Sequence, residues 1–102
     1  MIKSDLIKGE IGDFYWGYID RIPPDAELID TLKKNTDEFS EFLRSIPEDC
    51  WQYRYSPEKW SILEMVQHII DTERIFQYRA LCFARNEPNL LPGFDHDIYV
   101  LN

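Results

Sequence analysis

An all-α protein is what this sequence predicts, on three observations. Trp60 to Arg85 is a long stretch without proline or glycine, and its apolar residues recur with helical spacing. Asp25 to Ile46 is a second such stretch, closed by Pro47. The one segment that alternates like a strand lies between them and has no second run to pair with. The segment joining the two long helices is long enough for a reversal, so they are expected as an antiparallel pair.

Residues 1–24 read as an irregular lead-in. Gly9, Gly12 and Gly17 weaken a long helix there, leaving one short helical piece at about Asp13–Asp20 that carries Phe14, Tyr15, Trp16 and Tyr18. Pro23 and Pro24 punctuate the chain. The helix over 25–46 has Asp25 as its expected cap and acidic residues in its first turns, as the helix dipole favours. Leu28, Leu32, Asn35, Phe39, Phe42 and Ile46 form a seam at spacings of four and three. Asn35 interrupts it, either as a polar group facing a cleft or as an amide that sets register. Lys33, Lys34, Asp37, Glu38, Glu41 and Arg44 read as a solvated face.

In Glu48–Lys59, Trp51, Tyr53 and Tyr55 alternate with Gln52 and Arg54, which predicts an extended connection ending in a Ser56–Lys59 turn. The helix over 60–85 starts at a capping box, Ser61 with Glu64, and Trp60 precedes the cap as a staple onto Met65 or its neighbours. On a helical wheel Met65, Ile69 and Phe76 share one apolar sector, while Leu63, Val66, Ile70 and Leu81 share another. A helix apolar on two sides needs neighbours on both. Residues 86–102, with Pro88, Pro92 and Gly93, read as a loop, in which Asp95 or Asp97 is placed to cap a helix near Ile98.

The chain has 102 residues, so it is at most one domain, with 15% aromatic and 29% charged residues and a net charge of −8. The acidic balance argues against nucleic acid or an anionic membrane as partner. No apolar run approaches a membrane span and no secretory leader is visible, so a cytoplasmic location is expected. Cys50 and Cys82 are expected to be free thiols.

His68 is the residue with chemical potential. It lies at the border between the polar sector of its helix and the Met65–Ile69 face, where a bundle keeps a half-buried polar group. It reads either as a metal ligand or catalytic base, or as a histidine satisfied by a neighbouring carboxylate or carbonyl. Glu64 and Asp71 are placed to orient its ring. The other histidine, His96, shares a metal with it only if the proline-rich loop folds back across the helix, and that return is not expected.

YSPEKWSILEMVQHIIDTERIFQYRALCFAR, followed by LPGFDHDIYV, resembles the DinB-like (YfiT-like) superfamily of metal-dependent enzymes. YWGYIDRIP and the helix from Asp25 fit the same pattern, so the resemblance covers most of the chain. It implies an up-down-down-up four-helix bundle whose cleft binds a divalent metal, zinc or nickel, through three histidines. One of these matches His68; the other two belong to an HxxxH pair on the last helix. Relatives include thiol-dependent transferases, isomerases and hydrolases acting on small molecules, and many are dimers. This sequence has two histidines and no HxxxH. The family's last two helices would follow Asn102. The expectation is therefore the N-terminal portion of such a domain over 1–102, binding metal weakly through His68, inactive alone as a transferase or hydrolase, and completed by homodimerisation. The alternative is a non-catalytic helical module for self-association or protein interaction.

Overall fold

A computed structural model describes residues 1–102, and every regular element in it is helical. Four α-helices, α1 (Asp13–Ile19), α2 (Leu28–Ser45), α3 (Ile62–Ala84) and α4 (His96–Leu101), are joined by loops and three short 3₁₀ turns. The chain divides into two compact units, Met1–Ile46 and Pro47–Asn102, each holding one of the long helices. No helix is long and apolar enough to cross a membrane.

In the first unit the lead-in docks onto the start of α2. The Met1 amine meets Glu27 Oε1 at 2.7 Å, and the Leu28 amide donates to the Met1 carbonyl at 2.9 Å. The cap of α2 is Glu27 and not Asp25: its other carboxylate oxygen accepts from the Ile29 and Asp30 amides. Pro23, Pro24 and the turn through Ala26 carry the chain past Asp25 before helical geometry begins. Amine and amides together lower the Glu27 pKa, and the carboxylate raises that of the Met1 amine. The seam of α2 is open, with Leu28, Leu32 and Phe42 at 44, 55 and 60% exposure.

In the second unit, the segment after α2 is not extended as the alternation predicts. Glu48–Cys50 forms a 3₁₀ turn, and the chain then folds onto the start of α3. The Leu63 amide donates to the Trp51 carbonyl at 3.0 Å and the Ile62 amide to the Tyr53 carbonyl at 3.2 Å. The Glu64 amide donates to the Ser61 hydroxyl oxygen at 3.2 Å, and the Glu64 carboxylate accepts from the Ser61 amide at 2.6 Å. The capping box thus forms as read, and the first amides of the helix, which lack partners within it, are all satisfied. At the other end the Asn86 amide donates to Phe83 and the Glu87 amide to Cys82, with Asn86 at φ 52°. That is a Schellman motif with asparagine at the left-handed position.

Residues 86–102 are not wholly loop. Asp95 accepts from the Asp97 and Ile98 amides and starts α4 at His96, two residues before the place read from the sequence. Both cysteines are free thiols, with Cys82 buried in α3.

Candidate functional site

The site lies in the second unit, on the stripe of α3 that carries His68. Four residues per turn and a bit less bring Glu64, His68, Thr72, Ile75 and Arg79 onto that stripe. The chain after α3 returns along it. Arg79 Nη2 donates to the Pro92 carbonyl at 2.9 Å, and its guanidinium stands 5.9 Å from the centre of the Phe94 ring, within cation–π range. Leu91–Gly93 and Phe94 border an open pocket of about 310 Å³ with Ile75, Tyr78 and Arg79. The return ends with His96, whose ring centre is 5.6 Å from that of His68 at 60°. The proline-rich loop therefore does fold back across the helix, contrary to the expectation.

Trp60 is the third member of this cluster. Its ring lies 5.0 Å from His68 and 5.6 Å from His96. The residue read as a staple onto Met65 or its neighbours lines one pocket with Met65 and also lies against His68. Trp60 and His68 are half-buried, and His96 is exposed. The only carboxylate close to either imidazole is Asp97, whose Oδ2 is 3.8 Å from His96 Nε2. Thr72 Oγ1, one turn beyond His68 on the same stripe, is buried with no hydrogen-bond partner, an arrangement that costs about 1–3 kcal/mol.

The carboxylates expected to orient His68 are engaged elsewhere. Glu64 receives two bonds from Arg54, at 2.6 and 2.8 Å, besides the Ser61 amide. The Arg54 bonds first and the Ser61 amide next hold its carboxyl down at about 2, from an ordinary 4.5. Arg54 is itself anchored on the Lys59 carbonyl at 2.7 Å, so Glu64 ties the preceding loop to the helix. Asp71 accepts from Gln67 Nε2 at 2.9 Å. The side chains found against the His68 ring are those of Trp60 and His96. Three or more His, Cys, Asp or Glu side chains converge nowhere in the chain, so a closed structural zinc centre, which takes four protein ligands, is not formed by this chain alone.

These features define an all-helical domain that presents an imidazole on a half-buried helix face. The sequence model of the DinB superfamily matches residues 31–99, and the chain belongs to that superfamily. No curated protein and no solved structure matches it.

Proposed function

We propose that this chain contributes His68 as a ligand to a divalent metal, zinc or nickel, in a DinB-type site that acts on a small molecule by thiol transfer or hydrolysis. The observation that supports this most is the setting of His68: half-buried, with Trp60 against its ring and no carboxylate bonded to it. Superfamily membership supports it too, because His68 falls where relatives place a metal-binding histidine. A bound divalent ion would polarise a thiol or water in the cleft. The chain's own part is to hold the imidazole in one orientation through Trp60 and to keep α3 in register through the Arg54–Glu64 tie. One histidine with water makes a weak, open site. Calorimetry with Zn²⁺ or Ni²⁺ on the wild type and His68→Ala tests it: the wild type binds more weakly than micromolar and the variant loses most of that affinity. Equal affinities overturn the proposal.

A second reading, a helical module that pairs with another copy of itself, is favoured by a separate observation. The returning segment covers the His68 stripe and neither apolar sector of α3. Leu63, Ile70 and Leu81 on one sector are 48, 41 and 53% exposed, and Met65 and Phe76 on the other are 46 and 55% exposed.

A further inference from the structure

We propose that His96 is a second metal ligand, so that His68 and His96 together chelate one divalent ion per chain. The proposal rests on His68 being a ligand and adds a partner from a different element. Two imidazoles on one tetrahedral ion at about 2.0–2.1 Å put their ring centres roughly 5 Å apart. The observed separation is 5.6 Å, with the rings inclined at 60°. That separation is close to the one that a shared ion requires.

Three independent restraints hold His96 in this place. Arg79 pins the Pro92 carbonyl, Asp95 fixes the first turn of α4, and Trp60 packs edge-on against the His96 ring while covering His68. Together they keep the two imidazole rings side by side. Asp97 Oδ2, 3.8 Å from His96 Nε2, places a negative charge beside the pair without bonding to either ring. Two imidazoles with water completing the shell suit zinc, nickel or copper, and not magnesium or calcium, which take oxygen ligands.

The experiment is titration of the wild type with Ni²⁺ alone, followed by calorimetry and by NMR of the histidine ring protons. The chain has two histidines, so both sets of signals are assigned by the single variants. One ion per chain should bind, broadening both rings together. His68→Gln and His96→Gln should each lose at least about tenfold in affinity, the loss that even an outer partner of a ligand causes. The double variant should bind more weakly than either single one, because each single variant keeps one imidazole. Far-UV circular dichroism confirms that each variant keeps its helices. If His96→Gln binds as the wild type does while His68→Gln does not, His96 is no ligand and the reading of His68 stands. If His68→Gln binds unchanged, that reading falls and this inference with it. One ion per two chains, a metal held between copies, overturns the chelate, and so do two separate binding events.

Discussion

At the scale of single residues, the links between Arg54, Ser61 and Glu64 carry the clearest consequence for stability. The folded state holds the Glu64 carboxyl at about 2 against an ordinary 4.5. A lowered folded pKa contributes stability that is complete above the unfolded value and is lost as pH falls through the folded one. Thermal stability should therefore fall as pH drops from 4.5 toward 2, and Glu64→Gln should flatten that slope. A Glu64→Gln variant with the wild-type acid profile would show that Glu64 makes no such contribution. Ser61→Ala should cost about 0.5–2 kcal/mol, as loss of a helix cap does. The capping box was legible because it is written within four consecutive residues. The Arg54 contribution was not, since it comes ten residues earlier and needs the loop to fold back. The approach of His96 to His68 was not expected for the same reason. The signal lay in Asp95 as a cap after Pro92-Gly93, but no periodicity announces which face a returning loop will cover.

At the scale of elements, α3 ended within one residue of the position read from its sequence, and α1 did likewise. Proline stops and apolar spacing are local properties, so local reading finds them. The start of α2 moved from Asp25 to Leu28 because Glu27, held by the Met1 amine, outcompetes the earlier carboxylate as a cap. The extended reading of Trp51–Tyr55 failed because alternation also results when a loop turns its carbonyls to a helix end. Asn86 gives a test of the C-terminal stop. Its φ of 52° suits asparagine or glycine. Asn86→Ala should unfold at a lower temperature, because alanine lacks the side-chain amide that eases asparagine into left-handed geometry, whereas Asn86→Gly, with no Cβ, should unfold at or above the wild-type temperature. Equal melting of the alanine variant would mean that the backbone relaxes out of the motif.

At the scale of the whole molecule, two apolar sectors of α3 and the seam of α2 stand half open. Burying such side chains fully is worth roughly 1.5–3 kcal/mol each, less the cost of association. A twofold pair of chains is the simplest arrangement that covers them, and it would bring together four long helices, the number in the bundle the superfamily resemblance implies. Light scattering coupled to size exclusion at micromolar concentration should give a dimer mass. Leu63→Glu with Leu81→Glu should shift it to monomer. A monomer at all concentrations with sharp cooperative unfolding would refute the pairing. The helical class was legible because it needs only periodicity; how the exposed sectors are covered was not, because that depends on surfaces distant in sequence.

The carbonyls of Trp51 and Tyr53 that meet the first amides of α3 have a consequence for local opening. In a free helix end those amides exchange with solvent almost at once. Here Ile62 and Leu63 are hydrogen-bonded across the loop, so their release requires the loop and the helix end to open together. In native-state hydrogen exchange they should be protected nearly as well as amides in the middle of α3. Arg54→Ala, which unties the loop from Glu64, should abolish that protection while leaving the mid-helix amides slow. Fast exchange at Ile62 and Leu63 in the wild type would show that the loop breathes independently of the helix it caps.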